Sequence, residues 1–138
     1  MESRCRSGER WIAPVQDFLE KALRGEVDEA TKLLAPDVSF QLLGTHFRAT
    51  GYKGPQQVAQ HLAEVLRITG HTLNVLQWED WMLGVDNIAA LVHIRAQRHS
   101  AVLTTRVIYL VGMSEDDKIR RVEVFFSDPA AVDQFVKQ

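Results

Sequence analysis

The chain has 138 residues and a formal charge of -2, with 46% hydrophobic and 25% charged residues, the balance of an ordinary folded protein. That balance gives no electrostatic reason to expect nucleic acid or an anionic membrane as a partner, and no stretch is apolar over the length needed to cross a bilayer. The length suits one domain over residues 9–138, preceded by a polar leader at 1–8 that lacks the apolar segment of a secretory signal. The expectation is a cytoplasmic protein, and the lone Cys5 has no internal partner for a disulfide.

In chain order, Trp11, Ile12, Val15, Phe18, Leu19, Ala22 and Leu23 recur at helical spacing, and Gly25 stands where a helix end favours a residue tolerant of positive φ. Val27, Ala30, Leu33 and Leu34 continue that period up to Pro36, so the spacing predicts a short second helix folded back on the first. Val38–Leu43 reads as a strand. Gly51, Lys53, Gly54 and Pro55 then break the chain, with Pro55 suited to the first turn of a third helix built on Val58, Leu62, Val65, Leu66 and Thr69 and closed by Gly70.

From His71 the period changes. Three β-rich runs, 71–83, 88–98 and 101–113, are joined by turn residues at 84–87 and 114–117, which predicts consecutive strands paired antiparallel. A last strand covers 118–126. Asp128 followed by Pro129 then forms a helix start, with Val132, Phe135 and Val136 as the buried stripe of a short final helix. The predicted class is α+β: three N-terminal helices on a curved, mainly antiparallel sheet, with a short C-terminal helix.

The segments Phe18–Gly44, Gly51–Leu62 and Asp116–Pro129 resemble the corresponding segments of the nuclear-transport-factor-2-like (NTF2-like) superfamily, especially its SnoaL-like branch, which shares the ketosteroid-isomerase-like fold. The resemblance runs from about Trp11 through nearly the whole chain. It implies a cone-like fold in which a curved sheet wraps the helices around an apolar pocket, usually within a homodimer. One scaffold of this kind hosts many chemistries.

Tested position by position, the resemblance argues against the best-known reactions. Where a ketosteroid isomerase has an oxyanion-donating tyrosine on the first helix, this chain has Phe18, and where it has a base aspartate on the first strand, this chain has Gln41. Neither residue can donate or accept the proton that isomerisation needs. The paired carboxylates of limonene-epoxide hydrolase are also missing, since the comparable positions hold His93 and Arg95, with Val124 on the last strand. Asp128, the nearest counterpart of the cyclase aspartate, reads better as the cap before Pro129.

His93 and Arg95 share one face of their strand, and a histidine beside a fixed cation is a candidate general base with an anion partner. The other face of the same strand carries Ala90, Val92, Ile94 and Ala96, the core pattern that turns His93 and Arg95 outward. Phe18, Gln41, Trp78, Tyr109, Val124 and Phe126 are the candidate ligand-binding residues, and Arg106 is a candidate cross-strand partner of Glu123. The five histidines contain no helical i, i+4 pair, and Gly51 and Gly54 lack the Lys-Ser/Thr of a phosphate loop, so neither a metal nor another cofactor is expected.

Two functions fit these residues. One is a cofactor-independent acid/base enzyme of isomerase, cyclase or hydrolase type, acting on a small apolar molecule through His93 and Arg95. The other is a non-catalytic homodimeric domain that binds a ligand or a protein partner. The orientation of the 88–98 strand discriminates between them.

Overall fold

The computed structural model describes residues 9–43 and 51–137; the leader at 1–8, Gly44 and His46 lie outside the described residues. Helix α1 covers Ile12–Arg24 and helix α2 Val27–Thr31. Strand β1 covers Leu34–Leu43, β2 Gly51–Lys53, and helix α3 Gly54–Thr69. Strands β3 (Asn74–Leu83), β4 (Asn87–Arg98), β5 (Ala101–Met113) and β6 (Ile119–Phe126) follow, then helix α4 (Pro129–Lys137). Among the described residues no helix is long and apolar enough to cross a membrane.

The expected helix termini form through the expected residues. Gly25 takes a left-handed conformation with φ 93° and its N–H donates to Lys21 O. Gly70 ends α3 in the same way at φ 57°. At the start of α4 the Asp128 Oδ1 accepts the Ala131 N–H at 3.1 Å, the cap geometry predicted for that pair.

The six strands form one sheet in the order β2-β1-β6-β5-β4-β3. The β3–β6 run is the antiparallel meander that the turn residues predict, while β1 joins β6 in parallel. Pairing Ala90↔Tyr109↔Val124 carries one row across β4, β5 and β6 on the inner face. That face, with α1 and α3 against it, holds the core: Val15, Phe18, Val58, Phe40, Val92, Val107 and Val122 are all buried.

Four expectations are corrected. The second helix stops at Thr31, and Leu34 begins β1 instead, because Leu33 O accepts the Ile119 N–H at 2.9 Å and Leu34 pairs with Ile119. The predicted break around Gly51 contains a short strand, in which Tyr52 pairs with Phe40 of β1. The first of the three β-rich runs begins pairing at Asn74 and not His71; His71 has a positive φ of 61° and its N–H donates to Leu66 O, so it belongs to the end of α3. Arg106 Nε meets Glu79 Oε1 at 2.8 Å, leaving Glu123 to Arg121 Nε at 3.3 Å.

The helices are tied to the sheet at both ends. Trp11 Nε1 and Arg10 Nη2 donate to Asp117 Oδ1 at 3.2 and 3.0 Å, fastening the start of α1 to the β5–β6 turn. Thr72 Oγ1 donates to Gln97 O at 2.9 Å and accepts the Gln97 N–H at 2.7 Å, fixing the loop after α3 to β4. Arg98 donates to Val136 O at the C-terminal end of α4.

Candidate functional site

Helices α1, α3 and α4 and the inner face of the sheet leave between them a cavity of about 110 Å³. Each wall comes from the residues whose spacing marks an inward face. Phe18, Leu19 and Ala22 come from α1, Leu62, Val65 and Thr69 from α3, and Val132, Phe135 and Val136 from α4. The sheet adds Phe40 and Leu42, Ile94 and Ala96, Leu103 and Tyr109, and Val124 and Phe126. A volume of this order is comparable to cavities that admit a single benzene ring.

Polar groups in the wall are few. Among the described residues that line it, His61, Thr69 and Tyr109 carry side-chain hydrogen-bonding groups, and no Asp, Glu, Lys or Arg does. The Thr69 hydroxyl is spent on its own helix, donating to Val65 O at 2.9 Å with Leu66 O at 3.3 Å. His61 and Tyr109 are each 7% exposed.

The His61 ring is fixed by aromatic contacts. It stacks on Tyr52 with centroids 4.4 Å apart and planes 24° apart, and it lies 5.3 Å from Phe40. Burial holds its imidazole down to about 4, partly opposed by the nearby Glu64 carboxylate, which favours the charged form. At neutral pH the ring is therefore uncharged, with one nitrogen a donor and the other an acceptor. Burial pushes the Tyr109 phenol far above its ordinary range, so that group also stays neutral and keeps its proton.

Of the residues singled out from sequence, Phe18, Tyr109, Val124 and Phe126 line this cavity together. Gln41 does not: it is exposed between the buried Phe40 and Leu42, on the outer side of the sheet. Trp78 lies outside the cavity wall, stacked on Trp81 at 5.6 Å and packed against the core. His93 and Arg95 also lie outside it. They are half-buried on the face of β4 opposite the buried Val92, Ile94 and Ala96, because strand alternation gives the inner face to the apolar set.

His61 is the functional candidate that sequence reasoning missed. The signal was present, since Val58, His61, Leu62, Val65, Leu66 and Thr69 follow the three- and four-residue spacing of one helix face, which places a histidine inside the apolar stripe. Among the described residues no group of three or more His, Cys, Asp or Glu side chains is arranged to hold a metal ion.

No protein-family model matches the chain. The uncharacterised protein Rv0034 of Mycobacterium tuberculosis is 32% identical over 113 residues, covering 81% of this chain and 85% of its own. Among solved structures, an NTF2-like protein from Burkholderia xenovorans superposes with a TM-score of 0.76 at 12% identity, covering 94% of this chain and 97% of the other. A putative SnoaL-like polyketide cyclase from Jannaschia sp. does so at 0.77 and 10%, covering 95% and 94%. The fold is thus that of the NTF2-like proteins. The chain belongs to one family with the mycobacterial protein.

Proposed function

We propose that this protein binds a small, largely apolar molecule in the cavity between α1, α3, α4 and the sheet. The observation that carries the reading is the composition of the wall, which is apolar apart from two uncharged polar side chains and a threonine bonded to its own helix. Its contacts come from Phe18, Tyr109, Val124 and Phe126, joined by His61. His93 and Arg95, on the other face of β4, would reach such a molecule only by leaving that face, so binding is favoured here over acid/base catalysis by that pair.

Toluene titrated into isotopically labelled protein tests this directly. Saturable shifts are expected at the methyl groups of Leu62, Ile94 and Val124, and Ala96→Leu, which extends a side chain into the cavity, should weaken binding at least several-fold. Absence of shifts at saturating toluene overturns the reading.

A second observation supports a homodimer. Leu91, Ile108, Phe125 and Leu43 form one register row across β4, β5, β6 and β1 on the outer face. Leu91, Ile108 and Leu43 are half-buried, and Phe125 is 37% exposed. A continuous apolar row at the centre of a sheet face suits burial against a second copy of the same face related by a two-fold axis.

A further inference from the structure

We propose that His61 and the Tyr109 hydroxyl are the two polar anchors of the cavity, and that its ligand is an uncharged, mostly apolar molecule bearing a hydroxyl or carbonyl oxygen. This rests on the binding reading above and specifies the chemistry it selects.

The first observation is unmet hydrogen-bonding capacity. Neither ring nitrogen of His61 and not the Tyr109 hydroxyl makes a hydrogen bond among the described residues, although both side chains are more than nine-tenths buried. Buried polar groups are nearly always partnered, and the exceptions need a reason. Both groups face the same cavity, His61 from the helical layer and Tyr109 from the sheet, so a single molecule lying between the layers can meet them.

The second observation is rigidity. The stack on Tyr52 and the contact with Phe40 set the plane of the imidazole. The row Ala90↔Tyr109↔Val124 places the phenol on the inner face of the central strand. Groups held this way lose little freedom on binding.

The third observation is charge. No Lys, Arg, Asp or Glu lines the wall among the described residues, so a carboxylate or ammonium ligand would be buried without a counter-charge, which is strongly unfavourable. A neutral imidazole and a phenol offer donors and acceptors to a neutral oxygen function instead.

Four single-ring probes test the proposal: toluene, 4-methylphenol, acetophenone and benzoate. 4-Methylphenol and acetophenone are expected to bind about five- to tenfold more tightly than toluene, the worth of one net hydrogen bond, and benzoate more weakly than toluene. His61→Phe, which keeps an aromatic ring in the stack, and Tyr109→Phe should each lower the ratio of 4-methylphenol to toluene affinity toward one. A ratio unchanged in both variants, or benzoate binding as tightly as 4-methylphenol, overturns the anchors.

The imidazole nitrogen resonances of wild-type His61 give the same answer without a variant. A shift with 4-methylphenol and none with toluene supports the anchor, and equal shifts with both overturn it. If toluene binds with no preference for the oxygenated probes, the anchors fail while the binding reading stands. If no probe binds, both fail.

Discussion

Protonating the His61 imidazole places a charge beside Phe40, Tyr52 and Leu62 at a position only 7% exposed, and that cost links the residue to stability. Its folded-state value of about 4 lies below the ordinary 6.5, so between those limits the unfolded chain binds the extra proton and folding is penalised as pH falls. Stability from this source is complete above about pH 6.5 and declines toward pH 4, by an amount of the order of 3 kcal/mol. Urea denaturation at pH 7.5 and pH 4.5 should therefore show a larger loss for wild type than for His61→Phe. At pH 7.5 the variant should be at least as stable as wild type, since it removes buried polar atoms without hydrogen bonds. An equal acid loss in both proteins would sink this account. That His61 would be buried was legible from its place in the α3 stripe; that it would meet Tyr52 and the cavity was not, because those neighbours arrive from β1, β2 and the sheet.

Among the elements, local signals were most reliable where the chain ends a helix. Gly25, Gly70 and the Asp128-Pro129 pair act through their own backbone and nearest neighbours, so their roles survive without knowledge of the rest. Asp128→Ala removes the acceptor for the Ala131 N–H and should cost about 1 kcal/mol. Because α4 supplies Val132, Phe135 and Val136 to the cavity, faster hydrogen exchange should appear first in that helix; unchanged exchange and melting temperature would show the cap to be dispensable. Leu33 and Leu34 show where such signals fail. An adjacent apolar pair fits both a helical stripe and the start of a strand, and the pairing with Ile119, 85 positions away in sequence from Leu34, decides between them. The short β2 was hidden for a similar reason, since glycine-rich residues become a strand here only by pairing with β1.

For the whole molecule, the outer sheet face bears on assembly. If the row Leu91–Ile108–Phe125–Leu43 is a two-fold interface, Ile108→Glu puts two carboxylates near the axis and should shift the protein from dimer to monomer at micromolar concentration in sedimentation velocity. Circular dichroism should stay native, because Ile108 is only half-buried in the single chain. A wild-type monomer, or a variant that remains dimeric, would remove the row from any interface.

Composition, periodicity and turn chemistry by themselves determined the α+β class, the order of the elements apart from β2, and the helix ends at Gly25, Gly70 and Asp128-Pro129, because each depends on residues a few positions apart. Of the ligand-binding candidates named with the family resemblance, Phe18, Tyr109, Val124 and Phe126 line one cavity, while Gln41 and Trp78 do not. Only the tertiary structure decided which polar groups enter that space. His93 and Arg95 sit on a strand with two usable faces, and the packing of Val92, Ile94 and Ala96 against the interior turned them out, while the same packing brought His61 and Tyr109 in. Strand alternation and helix period define faces, and long-range burial chooses which face is inside.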